Sequence, residues 1–187
     1  CTPVIFFFLK ILSFIKKHLN LTAQLHGIDK IDQIVIGKIN VLNIWREGVD
    51  LNFGVNDVKV GEYAIKSFVA ATKALKENKI DVLVTAPINK YNIQSDEFKF
   101  PGHTDYLNQE LEGNALMFMI QDNLRVGLFT DHVPVNEVAN HLNEKLILQK
   151  IETIKKSLMQ DFGINKPKIA VLALNPHAGD NGVIGKE

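Results

Sequence analysis

Three histidines of this chain stand among hydroxyl, acidic and turn-forming residues. His103 lies in Pro101-Gly-His-Thr-Asp105, His132 in Thr130-Asp-His-Val-Pro134, and His177 in Asn175-Pro-His-Ala-Gly-Asp-Asn-Gly182. Neutral imidazole is the commonest protein metal ligand. A proline beside His132 and another beside His177 stiffen their turns, which suits a ligand that must not move. The same two side chains could instead be hydrogen-bonded turn residues. A catalytic metal usually takes three protein ligands and keeps one position open, so two histidines do not make a site. His103, Asp131, Asp180, a residue outside this chain or one from a partner subunit would have to supply the third. Gly102-His-Thr104 can offer an imidazole, a hydroxyl and backbone N–H groups to a phosphate or a hydroxyl. Lys90, closing Thr85-Ala-Pro-Ile-Asn-Lys90, is either an anion ligand or a solvated lysine. The remaining histidines, His18, His26 and His141, read as surface or cap residues.

Other chemistries lack candidates. Gly179-Asp-Asn-Gly-Val-Ile-Gly185 is glycine-rich but does not have the spacing of a dinucleotide fingerprint. Neither a phosphate-binding G-x-x-x-x-G-K-[ST] loop nor a G-x-S-x-G elbow is present, and the single cysteine, Cys1, lies in an apolar stretch. No general base is assigned.

The elements that must hold these clusters follow from periodicity. Val4–Phe8 predicts a buried strand feeding a helix whose stripe is Ile11, Leu12, Ile15 and Leu19. Short strands are expected at Gln33–Ile36 and Ile39–Ile44, and a loop over Trp45–Gly54. Gly61–Asn78 predicts a helix, with Ala64, Ile65, Phe68, Ala71 and Leu75 on its apolar face. Apolar runs at Ile80–Val84, Ala115–Ile120, Arg125–Thr130 and Lys168–Leu174 predict further strands. A helix is expected from Glu144 to about Phe162, with Leu146, Leu148, Ile151, Ile154 and Leu158 inward and Gly163 as the stop. Alternating strands and helices predict an α/β fold with a largely parallel sheet. Three of the four polar clusters then follow strands, where such sheets bind ligands.

Composition narrows the rest. The 187 residues suit about one domain by length alone. They carry 21 basic and 21 acidic side chains, so charge argues for neither nucleic acid nor an anionic membrane. One cysteine excludes an internal disulfide framework and agrees with a reducing, cytoplasmic setting. The apolar start is interrupted by Lys10, Lys16 and Lys17, so it is too short to span a bilayer, and it lacks the basic region of a signal peptide.

Taken in order, Val82-Leu-Val-Thr-Ala-Pro-Ile-Asn-Lys90, Pro101-Gly-His-Thr-Asp105, Phe129-Thr-Asp-His-Val-Pro134 and Leu174-Asn-Pro-His-Ala-Gly-Asp180 resemble the 4-hydroxythreonine-4-phosphate dehydrogenase family, PdxA. The resemblance implies a three-layer α/β/α fold similar to isocitrate and isopropylmalate dehydrogenases, with two domains about a cleft. On it, residues 1–125 are expected to be part of the first domain and 126–187 part of the second. It implies NAD or NADP bound without a Rossmann fingerprint, and one divalent ion: zinc, magnesium or cobalt. The implied reaction oxidises the secondary alcohol of 4-phosphohydroxy-L-threonine. The resulting 3-keto acid loses carbon dioxide to give 3-amino-2-oxopropyl phosphate, a precursor of pyridoxal phosphate. By motif position, His132 and His177 are implied metal ligands, and His103 and Thr104 substrate contacts. A homodimer is implied as well, whose other subunit contributes a third metal histidine from beyond residue 187.

Family chains are longer, and this sequence resembles their first and middle portions. Their glycine-rich opening motif and C-terminal substrate contacts are absent from it, so a protein ending at Glu187 is expected to be inactive. Two other readings fit the same scaffold. One is a dehydrogenase of a four-carbon sugar-acid phosphate, threonate or erythronate 4-phosphate. The other is a non-redox phosphate-binding module in which the histidines only hold turns.

Overall fold

The computed structural model describes residues 1–187, which form two compact units, Cys1–Gly113 and Asn114–Glu187. The junction expected at 125/126 falls inside the strand Leu124–Gly127, which lies in the second unit together with its partner strand Phe118–Gln121.

The first unit is built on three parallel strands. They are β1 (Val4–Phe7), β2 (Leu25–Ile28) and β3 (Ile39–Asn43), in the order β1-β3-β2. β1 pairs with β3 from Val4↔Asn40 to Phe7↔Asn43, and β2 pairs from Leu25↔Ile39 to Ile28↔Leu42. Period-two alternation sends Phe6, Ile28 and Leu42 to one face, where they pack with Ala71 and Ala74 of α2 (Val58–Lys76). Each such side chain contributes roughly 1.5–3 kcal/mol on full burial. The Ser67 hydroxyl of α2 donates to the Phe6 carbonyl. Phe7 turns the other way and joins Ile11 of α1 (Leu9–His18), Trp45 and Tyr63. Helices thus cover both faces, the expected α/β/α layering around a parallel sheet.

Two asparagines, one fully buried and one partly buried, tie the sheet to its loops. Asn40 is fully buried, donates to the carbonyls of Pro3, Val35 and Lys38, and accepts from the Val35 N–H. Asn43 accepts from the Leu9 N–H at 3.0 Å, capping α1, and donates to the Ile28 carbonyl and to Asp29. A buried amide is stabilising only when so fully bonded.

Several expected strands are corrected here. Gln33–Ile36 is not extended in a ladder. Ile31–Gln33 forms a short 3-10 turn, because the Gln33 side-chain oxygen Oε1 accepts from the N–H groups of Asp29 and Lys30. The strand lies earlier, at Leu25–Ile28, where Gly27 interrupts the apolar pattern. A Cβ on Gly27 would sit 2.5 Å from Leu9 Cδ2, so α1 packs over a glycine here and a side chain at this position would force Leu9 to move. Ile80–Val84 pairs with no strand. Ile80 and Leu83 pack inward while Val82 and Val84 are 72% and 88% exposed. Lys168–Leu174 likewise forms no ladder and leaves Leu172 88% exposed. An apolar run becomes a strand only where a second backbone meets its N–H and C=O groups. The helix expected from Gly61 begins at Val58, because the Asp57 carboxylate accepts from the N–H groups of Lys59 and Val60.

The second unit carries β4 (Phe118–Gln121) and β5 (Leu124–Gly127), paired antiparallel from Phe118↔Gly127 to Gln121↔Leu124. Only Asp122 and Asn123 join them, and so short a turn excludes the parallel arrangement. A short helix α4 (Val138–His141) precedes α5 (Glu144–Gln160), which Asn143 caps through the Leu146 N–H at 2.9 Å. Ile154 and Leu158 of α5 are buried, whereas Leu148, expected inward, is 58% exposed. Lys150 Nζ donates to the Ala115 carbonyl, and the Arg125 guanidinium lies 4.6 Å over the Phe162 ring. Gly163, at φ 67°, ends the helical segment as expected. No helix of the chain is long and apolar enough to cross a membrane.

Candidate functional site

His103 is the first residue of α3 (His103–Glu110), with Thr104 directly after it. Aromatic packing holds this helix against α2. Phe68 of α2 meets His103 edge-on, with ring centroids 4.8 Å apart, and lies 5.0 Å from Tyr106. Phe98 and Phe100 pack on Tyr106 at 5.3 and 5.2 Å, so the segment leading into α3 is anchored beside it. The exposed pair Lys76–Glu110, 3.5 Å apart, also links α2 to α3, but such surface pairs add only about 0–1 kcal/mol.

Partial burial against Phe68 holds the His103 imidazole below its ordinary pKa of 6.5 by desolvation. At neutral pH it is therefore neutral, with one nitrogen donating and the other accepting. The stability consequence has a definite sign. Above 6.5 neither the folded nor the unfolded chain binds this proton. As pH falls, the unfolded chain binds it first, and stability is lost until the folded group also titrates. Phe68→Leu, which keeps an apolar side chain but removes the ring, is expected to move the His103 pKa up toward 6.5 in an NMR titration. A wild-type value at or above 6.5 would contradict this desolvation.

Thr85–Lys90 lies near the same helix start. The Asn89 carbonyl oxygen accepts from the Tyr91 and Asn92 N–H groups, and its amide donates to Asn56 at 2.9 Å, beside the α2 cap. This cluster follows the unpaired segment Ile80–Val84, and Asn175–Gly182 follows the unpaired Lys168–Leu174. Only Thr130–Pro134 comes after an assigned strand, β5, and that strand is antiparallel. The expected placement of three clusters beyond parallel strand ends is corrected accordingly.

His132 and His177 belong to the second unit, each exposed and on a separate loop. Both sit at φ 50°, in the left-handed region that non-glycine residues rarely adopt. His177 opens a run of such residues through Asn181, with buried Gly179 at its centre. Strained backbone of this kind concentrates at ligand sites. No hydrogen bond or ion pair joins either imidazole to the rest of the chain. Imidazole nitrogens without a partner in the chain are suitable donors for a divalent ion. They do not form a complete set, since no three histidine, cysteine, aspartate or glutamate side chains are grouped to hold a metal. Asp131 and Asp180, weighed as third ligands, are exposed and belong to no such group.

Sequence reasoning missed the residues that orient these groups. Gln94, whose amide spans the carbonyls of Lys90 and Phe100, carries no pattern that periodicity detects. Gly61, expected as the first helical residue, lies inside α2, where a Cβ would meet the Asn92 carbonyl group.

The family model described as "Pyridoxal phosphate biosynthetic protein PdxA" matches residues 1–187. A protein of Bacteroides thetaiotaomicron named 4-hydroxythreonine-4-phosphate dehydrogenase is 40% identical, over all of this chain and 52% of its own length. One of the same name from Sulfurihydrogenibium is 36% identical, over 92% of this chain and 55% of its own. The crystal structure of a 4-hydroxythreonine-4-phosphate dehydrogenase from Burkholderia phymatum superimposes with a TM-score of 0.84 at 27% identity, covering all of this chain and 57% of that one. The chain thus spans about half the length of the curated relatives it matches. A family match over the whole chain places it in the PdxA family.

Proposed function

We propose that the complete protein oxidises 4-phosphohydroxy-L-threonine with NAD or NADP and releases carbon dioxide to give 3-amino-2-oxopropyl phosphate, toward pyridoxal phosphate. The observation that carries this reading is the family match along all 187 residues. His132 and His177 supply imidazole lone pairs to one divalent ion, and the third ligand comes from outside this chain, a histidine of a second subunit in a homodimer. Imidazole donors favour zinc or cobalt over magnesium, which prefers oxygen. When bound, the ion supplies Lewis-acid stabilisation of charge developing on the substrate oxygen, worth roughly several kcal/mol, and the nicotinamide takes the hydride.

The chain's own residues then bind and orient. His103, kept neutral by Phe68, offers the substrate one donor and one acceptor nitrogen, and Thr104 offers a hydroxyl. In this reading residues 1–125 are part of the first domain and 126–187 part of the second. Neutral charge and the lone cysteine support a cytoplasmic enzyme acting on a small phosphorylated amino acid rather than on nucleic acid or a membrane.

The test is nicotinamide reduction by the full-length protein, given 4-phosphohydroxy-L-threonine with and without added zinc, cobalt or magnesium. Metal-dependent reduction is the expected result. Reduction only with threonate or erythronate 4-phosphate would move the substrate to the sugar-acid phosphates. No reduction with any of these by folded, metal-loaded protein would end the dehydrogenase reading.

A further inference from the structure

We propose that Lys90 is a substrate-binding residue that holds an oxyanion of the ligand touching His103 and Thr104, with Gln94 as its positioning residue. The inference rests on the roles proposed above for His103 and Thr104. Its own support is geometric. Lys90 closes the Thr85–Lys90 loop, yet its side chain runs to the start of α3, where a Cβ on Gly102 would lie 3.8 Å from Lys90 Cε. Gly102 directly precedes His103, so an ammonium, an imidazole and a hydroxyl share one small region of the first unit. The Lys90 side chain is exposed and its ammonium pairs with no carboxylate, as holds for most lysines of the chain. An unpaired cation beside two neutral polar groups recognises an anion and repels a second cation.

The placement is held rather than incidental. Gln94 Nε2 donates to the Lys90 carbonyl at 3.3 Å and to the Phe100 carbonyl at 3.0 Å, bridging the lysine's backbone to the segment that enters α3. Asn89 fixes the same loop from the other side, through its capped turn and its bond to Asn56. The proposed substrate carries two oxyanions, a phosphate and a carboxylate, and a lysine can serve either as a point charge.

Calorimetric titration of the full-length protein tests this with three ligands: the phosphorylated substrate, its dephosphorylated counterpart 4-hydroxy-L-threonine, and inorganic phosphate. Lys90→Gln is expected to weaken the phosphorylated substrate roughly tenfold or more, the scale of one charged hydrogen bond, while Lys90→Arg retains most of the affinity. If Lys90 holds the phosphate, Lys90→Gln also loses inorganic phosphate and spares the dephosphorylated compound. If it holds the carboxylate, both amino acids weaken alike and inorganic phosphate does not change. Gln94→Ala is expected to raise KM with little change in kcat, at a melting temperature close to wild type; a purely structural glutamine would lower the melting temperature and leave KM alone. Binding by Lys90→Gln within about twofold of wild type for all three ligands overturns the proposal, as does a wild type that binds none of them. Tight, Lys90-dependent binding without nicotinamide reduction would retain the lysine and reject the dehydrogenase.

Discussion

Replacing either His132 or His177 with alanine in the full-length protein is expected to remove bound metal and to lower kcat/KM by about a thousandfold or more. Loss of several kcal/mol of Lewis-acid stabilisation corresponds to about that factor. The structure makes the experiment discriminating. Neither imidazole bonds to the rest of the chain, and both residues are exposed. Alanine therefore removes no internal interaction, and stability should stay within about 1 kcal/mol of wild type. A histidine that only held its turn would behave in the opposite way, costing stability and sparing the reaction. Elemental analysis for the metal, a urea melt and the nicotinamide assay on the same preparation separate the two. Unchanged metal content in both variants would remove His132 and His177 from the site.

The second large effect is expected from Gly61→Ala. Alanine in an exposed helix interior is ordinarily about 1 kcal/mol better than glycine. Here a Cβ would lie 1.9 Å from the Asn92 carbonyl oxygen and 2.4 Å from its carbon. Those are backbone atoms, so no rotamer change relieves the collision, and α2 or the loop must move. Overpacking of this kind costs about 1–3 kcal/mol and outweighs the propensity gain. The denaturation midpoint of Gly61→Ala is therefore expected to fall. Displacement of Asn92 also disturbs the Asn89 turn that precedes it, so weaker substrate binding should accompany the lost stability. A midpoint at or above wild type would show that the close approach is relieved without cost.

Both effects bear on what could be read in advance. Helices α1, α2 and α5 were legible because each buries a stripe at helical spacing, and that requirement is local to the segment. β1 and β3 were legible as short, nearly unbroken apolar runs. β2 was not, since its third residue is a glycine whose reason lies in Leu9, on another element. Ile80–Val84 and Lys168–Leu174 have strand composition without a strand's partner. Composition reports what a segment prefers, whereas a ladder needs a second backbone at the right distance and direction. The direction of β4 and β5 was misread for a related reason: two apolar runs look alike whether they lie parallel or antiparallel, and only the short Asp122-Asn123 connection decides.

The sequence by itself determined the types of group available and the family. The motifs around Lys90, His103, His132 and His177 are contiguous, and a short turn keeps its chemistry wherever the chain carries it. Tertiary structure alone decided which of those groups meet. Phe68 desolvates His103 from a separate helix, Gln94 ties Lys90 to the entry of α3, and Gly61 admits the Asn92 carbonyl. The first and last of these join residues far apart in sequence, and the second depends on how one loop folds back on itself. The strength of each contact depends on distance and burial, which exist only once the chain has folded.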